Sequence, residues 1–125
     1  MLITEILARN ARMYGDEIAL VERDPAKNSR KEITWEAFDA EANRVANALL
    51  ARGIKKGDKV VHLMMNSIEW LPAYFGVLRT GAWVVPLNFR FSADDIQYCS
   101  EIAEAKAFIF GEEFIDRINP IKKTL

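Results

Sequence analysis

The chain has 125 residues and a mass of 14.2 kDa, the length of one domain rather than two. Apolar residues make up 50% and charged residues 28%, which excludes a disordered tail, and uncharged apolar stretches such as Gly81 to Leu87 are far too short to cross a bilayer. Seventeen basic and eighteen acidic residues leave a net charge of −1, so overall charge offers no pull toward nucleic acid or an anionic membrane.

By surface scaling, a chain of this mass exposes about 20,000 Å² unfolded and about 7,000 Å² folded, enough burial to hold a fold without metals or disulfides. A single cysteine, Cys99, excludes an intrachain disulfide framework. Met1 to Tyr14 carries Glu5, Arg9, Asn10 and Arg12 where a secretory signal needs an unbroken apolar core, and it has none of the serine of a transit peptide. The expectation is a cytoplasmic chain.

Taken in order, Ile3, Ile6, Leu7 and Met13 predict a short helix from Ile3 to Met13, stopped by Tyr14-Gly15-Asp16. Ile18 to Val21 and Lys31 to Ile33, joined through Asp24-Pro25, predict a hairpin. Thr34 then caps a helix whose Trp35, Phe38, Ala42, Val45, Ala46 and Leu49 recur at three and four, with Gly53 as its left-handed stop.

Lys59 to Met65 predicts a strand. Asn66 with Glu69 three residues later resembles a capping box and predicts a helix to Thr80, kinked at Pro72 and closed by Gly81. Trp83 to Leu87 predicts a strand, Ser92 with Asp94 and Asp95 a helix to about Glu104, and Lys106 to Phe110 another strand before a last helix from Glu112. The last two strands are continuous apolar runs, as parallel strands covered on both faces are. The predicted fold class is therefore α/β, a doubly wound, mostly parallel sheet with flanking helices and an N-terminal β-hairpin, in one unit over residues 1–125.

Chemistry is sparse. No Gly-x-Gly-x-x-Gly, phosphate-loop pattern or serine-threonine-glycine cluster occurs, and the glycines and lysines of Gly53 to Lys59 follow a helix, where a phosphate does not bind. His62, the one histidine, falls mid-strand and reads as packing, and nothing has metal-ligand spacing. Asp94-Asp95 and Glu112-Glu113 each fall in the first turn of a predicted helix, where they offset its dipole, and Cys99 has no basic neighbour to activate it. One candidate site is left. Asn88-Phe89-Arg90-Phe91 follows the C-terminal end of an apolar strand and precedes a capped helix, where open α/β sheets place ligand-contacting loops. The alternative is that its two rings only cover the sheet edge.

Ile33-Thr34-Trp35-Glu36-Ala37-Phe38, Asn43 to Leu49, Gly53 to Val60, Asn66-Ser67, Gly81-Ala82 and Val85-Pro86-Leu87-Asn88, in this order and spacing, resemble the N-terminal portion of AMP-forming acyl-CoA synthetases. Trp35 and Phe38 stand where that family more often has tyrosine and leucine. The resemblance, which runs from about Ile3 onward, implies the opening subdomain of a ligase several hundred residues long that uses ATP, Mg and coenzyme A. In that reaction a fatty acid or other carboxylate attacks Mg·ATP to give acyl-AMP and pyrophosphate, and the thiol of coenzyme A then displaces AMP. The family's phosphate loop, adenine and ribose contacts and C-terminal lysine match nothing here, so the resemblance implies no catalytic and no metal-binding residue in this chain and no cofactor bound by it alone. It places Asn88, Phe89 and Arg90 at the coenzyme A side. Its implied partner is the remainder of the ligase domain, with self-association through an exposed sheet edge, and no nucleic acid. The competing reading is a freestanding α/β binding or interaction module.

Overall fold

The computed structural model describes residues 1–124. In chain order the elements are α1 (Ile3–Met13), β1 (Ile18–Asp24), β2 (Ser29–Thr34), α2 (Trp35–Ala51), β3 (Lys59–Leu63), α3 (Trp70–Arg79), β4 (Trp83–Pro86), α4 (Ala93–Ala103), β5 (Ala107–Phe110) and α5 (Ile115–Ile118), with 3₁₀ turns at Glu112–Phe114 and Lys122–Thr124.

Two sheets form. β1 and β2 pair antiparallel with Glu22 opposite Lys31, and both strands reach further than their apolar residues alone predict. The extension is polar, so it leaves no hydrophobic signal, while cross-strand pairing of opposite charges and the Glu22 carboxylate, which accepts from the Ile68 amide at 2.6 Å, support it. The second sheet is parallel, in the order β4-β3-β5.

Side-chain alternation along these strands sorts the core into two faces. Val60, with Val84, Ala107 and Ile109, meets Leu49 of α2 and Val77 of α3. Leu63, with Phe108 and Phe110, meets Ile96 of α4 and Phe114 and Ile118 beyond β5. Helices therefore cover both faces, and the doubly wound α/β fold with its N-terminal hairpin is observed. A third cluster, Leu7, Phe38 and Ala42 with Leu20, Ile33, Leu71 and Phe75, attaches α1 and the hairpin to α2 and α3.

Local chemistry explains the helix ends. The Thr34 hydroxyl accepts from the Ala37 amide at 3.1 Å and starts α2. At its other end Gly53, with φ of 88°, allows the Gly53 amide to reach the Leu50 carbonyl and the Ile54 amide the Leu49 carbonyl, at 3.0 and 3.1 Å. Leu49 and Ile54 are buried in one cluster, the apolar contact that accompanies this reverse turn.

Three expectations are corrected. β3 is the fully buried strand, with Val60, Val61, His62 and Leu63 all buried; β5 is half-buried with helices on both faces, but β4 is not covered on both, since Trp83 is 66% exposed. The sheet order makes β4 and β5 edges, which an apolar run cannot reveal. Asn66 and Glu69 form no capping box, since α3 begins at Trp70 behind a Glu69 whose side chain makes no cap hydrogen bond. Pro72 consequently falls in the first turn of α3, where an amide has no intrahelical acceptor to lose, so its missing N–H requires no kink.

Candidate functional site

The connection leaving β3 runs to α3 on one face of the sheet and the connection leaving β4 runs to α4 on the other. The C-terminal ends of these adjacent strands therefore open onto two diverging loops, the place where open α/β sheets bind ligands. One loop is Met64 to Glu69, beside a cleft lined by Asn66, Ser67, Trp70 and Leu71. The other contains Asn88 to Phe91.

Asn88 organises its own loop. Its side-chain oxygen accepts from the Arg90 amide at 2.9 Å, and its carbonyl accepts from the Phe91 amide at 3.0 Å, two bonds that close a tight turn. Phe89 and Phe91 are half-buried and pack with Leu87 against the cluster of Leu63, Ile96 and Phe114. Arg90 is exposed, its guanidinium 5.4 Å from the centre of the Phe89 ring. It forms no ion pair with Asp94 or Asp95; Asp95 instead exchanges bonds with Ser92, whose hydroxyl accepts from the Asp95 amide at 3.2 Å and whose amide donates to the carboxylate at 3.1 Å. The turn thus holds one cation outward on an apolar base.

Sequence reasoning missed the residue that ties this turn down. Arg117 on α5 donates to the carbonyls of Phe89 and, at 3.3 Å, Phe91, and its guanidinium lies 5.2 Å from the Phe114 ring centre. The acceptors are 28 and 26 residues away in the chain, so no local pattern marks it. In the sequence Asn66 and Ser67 mark only a helix start and a family resemblance; their place in one of the two diverging loops follows from the strand order.

His62 is fully buried on the α2–α3 face. Its Nε2 lies 3.0 Å from the Trp70 carbonyl, its ring packs edge-on against Trp70 and Tyr74, and Nδ1 has no protein partner. Burial pushes its pKa below the ordinary 6.5, against the opposing pull of the Trp70 carbonyl. A neutral ring donating from Nε2 fits this packing. Cys99 is half-buried on α4.

The sequence from residue 7 to residue 125 matches the family model for AMP-binding enzymes, and the chain belongs to that family. It is 39% identical over 87 residues to the 3-hydroxybenzoate–CoA/4-hydroxybenzoate–CoA ligase of Thauera aromatica, covering 70% of this chain and 17% of that protein. Against the long-chain-fatty-acid–CoA ligase FadD13 of Mycobacterium tuberculosis it is 36% identical over 90 residues, 72% of this chain and 18% of the other. The fold superposes on the N-terminal domain of FACL13 from Mycobacterium tuberculosis with a TM-score of 0.85 at 33% identity, covering 96% of this chain and 29% of that one. It corresponds to the N-terminal portion of AMP-forming acyl-CoA synthetases, and spans less than a fifth of the length of the two curated ligases.

The groups used by such ligases fit this chain unequally. No phosphate loop occurs, and among the described residues no cluster of three carboxylate, histidine or thiol groups could hold a metal. Neither of these two features of an Mg·ATP site is therefore present among the described residues. The outward Arg90, free of a neighbouring carboxylate, does fit an anionic group.

Proposed function

We propose that residues 1–125 are the N-terminal subdomain of an acyl-CoA synthetase, acting on a fatty acid or other carboxylate, and that the Asn88–Phe91 turn contacts coenzyme A. The observation that carries the reading is the Arg90 guanidinium, without an ion-pair partner among the described residues and held on a closed turn beyond the C-terminal ends of parallel strands. A planar guanidinium pairs with phosphate oxygens through two donors or stacks on adenine, and the Asn88 amide and Phe89 ring stand beside it. Coenzyme A would supply the thiol acceptor of the second half-reaction. The subdomain scaffolds that site and performs no adenylation alone.

Its proposed partner is the polypeptide that completes the ligase domain, seated along β5. That edge strand, Ala-Phe-Ile-Phe, has no charge or proline to deter pairing, and with Val45, Ala48 and Leu49 of α2 and Arg52 at its C-terminal cap it lines a groove. The β4 edge is guarded by Pro86 and by Lys59, whose ammonium lies 5.7 Å from the Trp83 ring centre.

The test is a ligase in which residues 1–125 replace the matching segment of FadD13. Arg90→Ala should raise the KM for coenzyme A several-fold and leave acyl-adenylate formation nearly unchanged, because the thiol enters only in the second half-reaction. A parallel fall in both half-reactions with a lower Tm makes Arg90 structural and removes the assignment. Reading genomic DNA beyond the Leu125 codon tests the parent directly: an in-frame Ser/Thr/Gly-rich loop ending in lysine is expected, and a freestanding module lacks it.

A further inference from the structure

The contacts of Arg117 have no carboxylate in them. Among the described residues it pairs with no acid; its Nη1 is turned to the carbonyls of Phe89 and Phe91, the two residues flanking Arg90. Phe114, beneath the guanidinium, is 2% exposed, and Arg117 itself is half-buried. A charge withdrawn this far from water and directed at neutral acceptors makes stronger hydrogen bonds than an amide would.

We infer that Arg117 is the positioning residue of the Asn88–Phe91 turn, holding both carbonyls around Arg90 inward so that the Arg90 side chain projects outward. The inference rests on the coenzyme A reading only for the purpose the turn serves. The conformation itself follows from four bonds: Asn88 takes the Arg90 and Phe91 amides, and Arg117 takes the Phe89 and Phe91 carbonyls. Asn88 closes the turn and the Phe89 and Phe91 rings seat it on the core, but neither contact holds the Phe89 carbonyl. Arg117 adds the outside anchor, from an element that follows β5 and packs on the α4 face. Because both acceptors adjoin Arg90, displacing either redirects its Cα–Cβ bond. Arg117 is thus placed to govern how coenzyme A is met without touching it.

The variant Arg117→Met keeps an unbranched stem over Phe114 and removes the donors, while Arg117→Lys keeps charge and donors without the planar stack. In the 125-residue chain, hydrogen exchange at the Arg90 and Phe91 amides should quicken about ten- to a hundredfold in Arg117→Met, with Val61 to Leu63 of β3 unchanged and Arg117→Lys intermediate. Unchanged exchange in the turn, or equal acceleration in β3, overturns the inference. In the FadD13 graft, Arg117→Met should raise the KM for coenzyme A as Arg90→Ala does, with adenylate formation retained. If Arg90→Ala raises that KM and Arg117→Met does not, the positioning role is lost. If exchange quickens as expected while neither variant changes the KM, the coenzyme A reading fails and the positioning of the turn stands.

Discussion

His62 carries a pH dependence that its surroundings set. Its folded pKa lies below the unfolded value of 6.5, because burial against Trp70 and Tyr74 disfavours the imidazolium. Below pH 6.5 the unfolded chain therefore takes up a proton that the folded chain resists, and stability falls as pH drops from there toward the folded pKa. The slope reaches at most about 1.4 kcal/mol per pH unit for one proton. Urea midpoints measured from pH 7.5 downward should decline below about pH 6.5, and His62→Leu should flatten that part of the profile. An unchanged profile in His62→Leu assigns the decline to other groups. Arg79 is a second residue that reaches across elements: it donates to the Asp39 carbonyl, the Asp39 carboxylate and the Asn43 side chain at 3.0, 2.5 and 2.8 Å, pinning α3 to α2.

Between elements, the α2–α3 contact depends on a missing side chain. A Cβ at Gly76 would lie 2.5 Å from Val45 Cβ and 3.0 Å from the Ala42 carbonyl oxygen, so Gly76→Ala must push the helices apart. Overpacking costs about 1 to 3 kcal/mol, more than the roughly 0.5 to 1 kcal/mol that alanine returns in helix propensity. The Tm should fall, and a rise in calorimetry would show that the interface yields. At the start of α4, Ser92→Ala removes one half of the reciprocal cap and should cost about 1 kcal/mol, lowering the denaturation midpoint without changing its slope.

The molecule as a whole exposes 8130 Å², above the roughly 7,000 Å² that surface scaling assigns to a compact chain of this mass. Large apolar side chains contribute to that surface: Leu2, Ile3, Met13, Trp83, Tyr98 and Ile102 are each more than half exposed. No helix among the described residues is long and apolar enough to cross a membrane. Together with the open β5 edge, these exposed residues predict self-association when the chain is alone. Light scattering at about 100 μM should show species larger than a monomer, and a hydrophobic dye should bind. A strict monomer that leaves the dye dark counts against the reading of β5 as an unfilled docking edge. With no loop for the ATP phosphates, the chain alone should also catalyse no carboxylate-dependent exchange of pyrophosphate into ATP, and ATP should bind no tighter than about millimolar in calorimetry. Exchange above a no-protein blank would place adenylation residues within it.

Local order was legible in the residues themselves: the Thr34 and Ser92 caps, the left-handed Gly53, the apolar spacing of α2 and the alternation of strand and helix all depend on neighbours a few positions away. The Asn88–Phe91 loop was legible for the same reason, since an apolar strand before it and a cap after it mark its place. The coenzyme A role proposed for it starts from family resemblance, to which the structure adds the outward Arg90 on a closed turn. What only the tertiary structure decided is which strand lies in the middle, where α3 begins, and what holds the loop. β3 is central because the chain crosses from β4 over it to β5, a choice made by packing two helices on opposite faces. Arg117 meets the loop because α5 folds back beneath it, a contact between residues 26 and 28 positions apart that is set by the shared core of Phe114 and Ile118. Short-range sterics and hydrogen bonding can be read along a chain; contacts between distant residues exist only once the core has closed.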